Sequence, residues 1–342
     1  MGLKPPQVSV LFAKLRSEVK HPEVPITMNE ASQILRSFLR TNGLRASDKT
    51  RVKTEAEKLP VAKSEIVVEV KDLTFMYPYG LAEMPALRGI NLAIRRGENI
   101  GIIGQNGAGK TTLVKHFIGL LKPTQGKVTV FGMDTSVHTV PKLASKVGFV
   151  FQDPDQQMFS HKVRLEVAFG PRNLGLSDDE IEHRVERSLK DVGCHHLIDE
   201  NPLDLSKGEK QRVNIASVMA MEPELLVIDE PTTGQDFLRG REIMDLAMRL
   251  VRQGKTVITI SHDMNIVAEY ASRTLVMKDG EIFADAATRD IFSDPEKLKE
   301  TSLRPPQVTM LAQSLADFGF PRDLLTVEEM AACVRDAIGV RR

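Results

Sequence analysis

The chain has 342 residues, enough for one large domain plus a smaller one, and its 46 Lys+Arg balance 46 Asp+Glu to a formal net charge of zero. A duplex-binding protein usually carries a basic excess, so no nucleic-acid partner is expected. The two cysteines, Cys194 and Cys333, have no metal-ligand or redox spacing, and no apolar run reaches the ~20 residues of a membrane span. These features point to a soluble, cytoplasmic chain with reduced thiols that reaches a membrane only through a partner.

Residues 1–40 resemble the C-terminal end of the same chain. Leu3-Lys-Pro-Pro-Gln-Val8 matches Leu303-Arg-Pro-Pro-Gln-Val308, and Leu11 and Leu15 fall opposite Leu311 and Leu315. With one residue of slip, Pro22, Thr27 and Glu30 fall opposite Pro321, Thr326 and Glu329. Each copy predicts a helix after its Pro-Pro and a second helix after a Thr-x-x-Glu capping box. Tandem duplication explains the match, with residues 1–40 as the tail of a preceding unit. Residues 41–63 are polar and weakly periodic and read as a linker, in which 51–58 could instead be a solvated helix.

From Ile66 the texture changes to short apolar strands, 66–70 and 87–94, with Tyr77 between them. Tyr77 is one of only three tyrosines in a chain without tryptophan. Its ring could stack on a purine or pack as an ordinary core aromatic. The buried-strand pattern Asn99-Ile-Gly-Ile-Ile103 then leads into Gly104-Gln105-Asn106-Gly107-Ala108-Gly109-Lys110-Thr111-Thr112. This is the phosphate-binding P-loop, followed by an apolar helical stretch over 113–121. Its glycines let successive N–H groups point at a polyphosphate, and the helix adds its positive end. Lys110 would pair with the phosphates, and Thr111 would offer its hydroxyl to Mg²⁺. A nucleoside triphosphate ligand, most simply ATP, is therefore expected.

Further strands are predicted over 127–131 and 146–151, with Gln152 at the end of the second, placed to reach a metal or an attacking water. Ser177 opens a helix that ends at Gly193, so the middle region reads as an inserted helical subdomain. Leu205-Ser206-Lys207-Gly208-Glu209 starts another helix, with Ser206 as N-cap. Its exposed N–H groups are either a capped helix end or an anion site for a phosphate held by another subunit. The apolar run 225–228 ends in Asp229-Glu230, and the run 256–260 ends in Ser261-His262. Asp229 would hold Mg²⁺ through water, Glu230 would face the attacking water, and His262 could bond the γ-phosphate.

Taken together, these motifs resemble the ATPase subunit of an ABC transporter over about residues 66–282, in the family's order. The resemblance implies an α/β P-loop fold: a mixed central sheet, an antiparallel β subdomain, an inserted helical subdomain over about 153–221, and a helical C-terminal tail over 283–342. It assigns Tyr77 to the adenine, residues 104–112 to the phosphates, and Thr111, Gln152 and Asp229 to Mg²⁺. Lys110, Gln152, Glu230 and His262 become the catalytic set, and Ser206 and Gly208 the signature contacts with a partner's ATP. Asp236 matches the dimer-contact loop. The Val150-Phe-Gln-Asp-Pro-Asp-Gln-Gln-Met-Phe159, Pro231-Thr-Thr-Gly-Gln-Asp236 and Leu-x-Pro-Pro-Gln-Val motifs narrow the resemblance to the energy-coupling factor (ECF) group of vitamin, cobalt and nickel importers.

That group implies a second ATPase cassette, an integral-membrane coupling subunit and a substrate-binding membrane subunit as partners, at the cytoplasmic face of the membrane. In this group the tail helps two cassettes pair. The signature departs from Leu-Ser-Gly-Gly-Gln at Lys207 and Glu209, which puts its efficiency in question. Two rival readings are a soluble tandem ABC ATPase acting on ribosomes or DNA, and a regulatory ATP-binding module. Nothing in the sequence names the transported substrate.

Overall fold

In the computed structural model, which describes residues 5–19, 21, 23–46, 53–58, 65–78, 85–232, 234 and 236–339, two helical segments from the chain ends pack beside a two-sheet cassette. Leu3, Lys4, Pro22, Thr233, Gln235, residues 340–342 and much of the 41–63 stretch lie outside the described residues. The N-terminal segment comprises α1 (Gln7–Lys14), α2 (Arg16–Val19) and α3 (Met28–Thr41). α3 begins where the capping box requires: Thr27 Oγ1 accepts from Glu30 N at 3.2 Å while Glu30 Oε2 accepts from Thr27 N at 3.2 Å.

The cassette opens with β1 (Ile66–Phe75), β2 (Leu87–Arg95) and β3 (Asn99–Gly104), then α4 (Lys110–Phe117), β4 (Gln125–Val130) and β5 (Met133–Asp134). β1, β2, β4 and β5 form an antiparallel sheet in the order β2-β1-β4-β5. α4 stops at Phe117, short of the 121 its apolar pattern suggests, because Leu120 N and Leu121 N both turn back onto Lys115 O. α5 (Val140–Ala144), β6 (Val147–Val150), α6 (Val163–Asn173), α7 (Asp178–Asp191) and α8 (Lys207–Met219) follow. α6 runs on through Gly170-Pro171, although proline removes a backbone donor from the helix.

β7 (Leu225–Asp229), α9 (Phe237–Arg252), β8 (Thr256–Ile260), α10 (Met264–Tyr270), β9 (Arg273–Lys278) and β10 (Glu281–Ala287) complete the cassette. The second sheet has the order β10-β9-β3-β8-β7-β6, parallel except at β10. β10 continues to Ala287, so this sheet runs past residue 282. β3, β7 and β8 are buried at every position, which explains their unbroken apolar runs. Their carboxyl ends lie side by side, where open α/β sheets hold ligands. Short α11 (Thr288–Ser293) and α12 (Pro295–Lys299) lead to the tail helices α13 (Gln307–Ser314) and α14 (Val327–Ala337).

Within the 41–63 stretch, the described residues 53–58 are anchored rather than solvated. Thr54 and Ala56 are buried, and both Glu57 carboxylate oxygens accept from Arg289, at 2.9 and 2.7 Å. Arg289 in turn donates to Glu329 at 2.8 Å, inside the α14 capping box. A buried arginine held by two carboxylates costs desolvation that this geometry offsets, so the segment, the cassette and the tail are pinned at one point.

Candidate nucleotide-binding site

The P-loop crosses from buried β3 to α4 by a turn that only glycine permits. Gly104 has φ +155°, and a Cβ there would stand 2.4 Å from Met277 O. Gly109, at the N-cap of α4, has φ +97°, and its Cβ would meet Ala86 O at 2.9 Å. Between them Gln105, Asn106 and Gly107 are exposed and Ala108 is buried. Lys110 Nζ donates to Gly104 O at 2.8 Å and Gln105 O at 2.9 Å, arching over the loop. Burial pushes the Lys110 pKa down, against the pull of Glu230 and Asp229. A phosphate arriving in the loop would add its charge to that of the two acids and favour the ammonium form.

Asp229 ends β7 and is 2 % exposed, with its Oδ2 accepting from Thr111 Oγ1 at 2.7 Å. Burial raises its pKa, opposed by the Thr111 hydrogen bond and raised further by the Glu230 charge. Glu230 leaves the strand with φ +54°, a left-handed conformation that costs a glutamate of order 1–3 kcal/mol. Its N–H donates to Ile260 O at 2.9 Å, which fixes the bend. The side chain is buried, yet Oε2 receives no hydrogen bond. His262 Nδ1 stands 2.7 Å from that oxygen as its ion-pair partner when the imidazole is protonated, and the His262 side chain is 71 % exposed. Backbone strain and a buried carboxylate paired with a histidine coincide at one residue.

A cleft of about 390 Å³ brings these groups together. Asn106, Gly107, Gly109, Lys110, Thr111 and Thr112 floor it, Asp229 and Glu230 line its inner side, and Tyr77 and Gln152 also line it. Tyr77 is not a core residue: it is 49 % exposed, its hydroxyl lies 3.0 Å from Thr112 Oγ1, and its ring meets Phe75 edge-on. Gly104, Gln105 and Ala108 shape the loop without lining the cleft. His262 touches it only through Glu230.

Ser206 and Gly208 do not line the cleft; they sit at the N-terminus of α8. Ser206 Oγ donates to Glu209 Oε2 at 2.6 Å, Ser206 N donates to the same oxygen at 3.0 Å, and Glu209 N donates back to Ser206 Oγ at 3.4 Å. These bonds hold the Glu209 pKa low, so a carboxylate occupies the helix end that the sequence offers to an anion. Asp236 N-caps α9, its Oδ1 accepting from Arg239 N at 2.9 Å.

The sequence reading missed the ties between α8 and the loop after Gln152. Lys210 Nζ bonds Asp155 at 2.8 Å, and Asn214 Nδ2 donates to Pro154 O at 3.0 Å. Lys210 and Asn214 are four residues apart, hence on one helix face, and that spacing was the available signal. Movement of the α8 end is thereby tied to the loop that carries Gln152.

The sequence pattern of the ABC transporter family matches residues 87–233. The energy-coupling factor transporter ATP-binding protein EcfA of Methanothermobacter thermautotrophicus is 46% identical over 266 residues, covering 77% of this chain and 85% of that protein. A putative ABC transporter ATP-binding protein of Caldanaerobacter subterraneus subsp. tengcongensis is 40% identical over 336 residues, 98% of this chain. The match spans only 57% of that relative's length. Among solved structures, cbiO1 from Clostridium perfringens, part of the ABC transporter complex cbiONQ, shares 39% identity with a TM-score of 0.61, covering 73% of this chain and 100% of its own. With the P-loop, the paired acids and both sheets in the arrangement described above, the chain belongs to the ABC transporter ATP-binding family, and its fold is that of an ABC ATPase cassette.

Proposed function

We propose that this chain is an ATP-hydrolysing cassette of an ECF-type ABC transporter that imports a micronutrient, a vitamin or a transition-metal ion. The observation that carries the reading is the cleft itself: a phosphate loop facing the Thr111–Asp229 pair and the His262-paired carboxylate of Glu230. The names of the relatives support transport, since one is an energy-coupling factor protein and another works within cbiONQ.

The donor set fits Mg²⁺. Thr111 hydroxyl, Asp229 carboxylate and the Gln152 amide oxygen are all hard oxygen ligands, and no cluster of three acidic, His or Cys side chains occurs among the described residues. That suits an ion that takes one or two protein carboxylates and fills its sphere with phosphates and water. Bound there, Mg²⁺ would neutralise charge on the β- and γ-phosphate oxygens. Lys110 and the N–H groups of 105–112 would hold the phosphates. Glu230 would orient and deprotonate the attacking water, with His262 fixing its carboxylate.

Two cassettes would close around ATP, the P-loop of one facing Ser206 and Gly208 of the other. No helix among the described residues is long and apolar enough to cross a membrane. Work at the cytoplasmic face would therefore pass through a membrane subunit. Phe159 and Phe169, 60 % and 48 % exposed, meet edge to face at 4.6 Å beside the Gln152 loop and offer an apolar contact for such a subunit. A separate membrane subunit would bind the substrate.

Two substitutions test the roles. Tyr77→Ala should weaken ATP binding roughly tenfold with kcat held, within the ~1–3 kcal/mol range of a base–aromatic stack. Unchanged affinity would exclude adenine stacking. Glu209→Gln keeps an acceptor oxygen for the cap but removes the charge. It should lower the ATP concentration for half-maximal turnover about two- to fivefold, the scale of one charge at a helix N-terminus. The reading as a whole is tested by co-purification with an integral-membrane subunit and by Mg-ATPase of that complex. Cosedimentation with ribosomes instead would overturn it.

A further inference from the structure

Tyr77 is held in place by residues outside its own strand. The last paired position of β1 is Phe75, opposite Leu87, so Tyr77 stands beyond the sheet ladder. Two side-chain contacts fix it there. Its hydroxyl reaches Thr112 Oγ1 at 3.0 Å, and its ring meets the Phe75 ring edge-on, with centroids 4.9 Å apart and planes at 82°. Phe75 is buried and makes a second edge-on contact, also at 4.9 Å, with His116 of α4.

His116 closes the circuit. It is fully buried one helical turn after Thr112, and its Nδ1 lies 2.8 Å from Thr112 O. A carbonyl oxygen only accepts, so Nδ1 carries the proton and Nε2 presents a bare lone pair. Among the described residues that buried Nε2 has no hydrogen-bond partner. Burial pushes the His116 pKa down, so the ring is neutral at pH 7. A leucine would fill the same space without burying an unpaired nitrogen, which costs desolvation. What the imidazole adds over leucine is a flat edge against Phe75 and a bond to Thr112 O that fixes its rotamer.

We infer that His116 is a positioning residue for the nucleobase: through Phe75 it sets the orientation of the Tyr77 ring, and through Thr112 it ties that ring to the phosphate loop. The contacts run Thr112–Tyr77–Phe75–His116 and back to Thr112, so both ends of the circuit rest on one residue of the cleft. A half-exposed ring held at its hydroxyl and against Phe75 is oriented before a base arrives, and less side-chain freedom is lost on binding. Lys110 and Thr111, which face the phosphates, make their own contacts with Gly104 O, Gln105 O and Asp229 and need none of these rings. His116 therefore contributes to the binding of a nucleoside triphosphate through its base and not through its phosphates. Stacking tolerates any base, so the contribution is expected to be the same for ATP and GTP. This role rests on the proposed stacking of the base on Tyr77.

Equilibrium binding of ATP and of inorganic tripolyphosphate to the full chain, without Mg²⁺ so that ATP is not turned over, separates the two parts of the ligand. His116→Leu should weaken ATP binding about three- to tenfold, the scale of one edge-to-face aromatic contact, and leave tripolyphosphate binding within about twofold of the parent. Phe75→Leu should show the same pattern and keeps the test decisive if His116→Leu does not fold. His116→Phe returns a ring to the site and should bind ATP more tightly than His116→Leu. In a Tyr77→Ala background, His116→Leu should cost nothing further, because the ring it positions is gone. Equal losses for both ligands, or an undiminished loss in the Tyr77→Ala background, would make His116 an ordinary core residue of α4 and overturn the inference. A His116→Phe protein no better than His116→Leu would also count against the ring contact. Parent-like ATP affinity in His116→Leu, with Tyr77→Ala weakened, would overturn the inference and leave the stacking intact. If Tyr77→Ala itself binds ATP as the parent does, the stacking falls and the role of His116 falls with it.

Discussion

Replacing Glu230 with Gln should lower steady-state ATP turnover by about 10²–10⁴-fold, the usual contribution of a positioned general base, while ATP affinity stays within about twofold. The expectation rests on geometry. Glu230 is held at φ +54° with its N–H locked on Ile260 O, and its buried carboxylate lies 2.7 Å from His262 Nδ1. The Glu230 carboxylate, which lines the cleft, would take a proton from a water beside the γ-phosphate, whereas a glutamine amide can orient the water but cannot take its proton. The phosphate-binding groups, Lys110 and the loop N–H groups, are untouched by the change, so binding should survive. Sedimentation of Glu230→Gln with Mg-ATP adds a second readout. A shift from monomer to dimer means that two copies can form composite sites despite Glu209. A monomer with ATP bound assigns the facing signature to a different cassette. Unaltered turnover would remove Glu230 from the mechanism.

The parts of this site that were legible in the sequence share a physical cause. β3, β7 and β8 are buried on both faces, so their apolar runs are continuous and the polar residues that end them stand out. Gly104–Thr112 is legible because close backbone approach demands glycine at fixed positions. The strain at Glu230 was not legible, because a left-handed glutamate has no compositional mark. Nor was the state of Ser206: its hydroxyl is engaged by a residue three positions on, and the same sequence pattern serves a plain capping box. The sequence repeat at the chain ends was readable from Pro-Pro-Gln and the Thr-x-x-Glu pairs. Its mutual docking was not, since Arg36 and Arg335 sit at polar positions with nothing local to announce a partner about 280 to 320 residues away. Local signals reveal caps, turns and buried strands; long-range pairing of charged side chains leaves none.

Asp229→Asn should separate stability from activity. Burial raises the Asp229 pKa in the folded chain above its unfolded value, with the neighbouring Glu230 charge adding to the shift. The sign follows from linkage. Below the unfolded pKa both states are protonated and the group is neutral to stability. As pH rises through the unfolded and then the folded pKa, the folded state must bear a charge it disfavours, and the penalty grows from the first and is complete above the second. Asparagine is uncharged at every pH and keeps an oxygen to accept from Thr111 Oγ1, so it removes that penalty. Nucleotide-free Asp229→Asn should melt higher at pH 7 than the parent, by roughly 2 °C for a gain on the order of 1 kcal/mol, with the difference vanishing toward acid pH. Its Mg-ATP turnover should fall at least about 10²-fold, because an amide cannot neutralise the divalent ion that the carboxylate is placed to hold. The parent, but not the variant, should gain thermal stability from Mg²⁺ added with ATP beyond that from ATP alone. Equal Mg²⁺ stabilisation of both proteins would take Asp229 out of the metal site, and a variant that melts lower at pH 7 would show that the carboxylate is compensated within the fold. Thermal melts across pH with and without Mg-ATP therefore measure both the stability cost of the buried Asp229 carboxylate and its proposed role toward the metal.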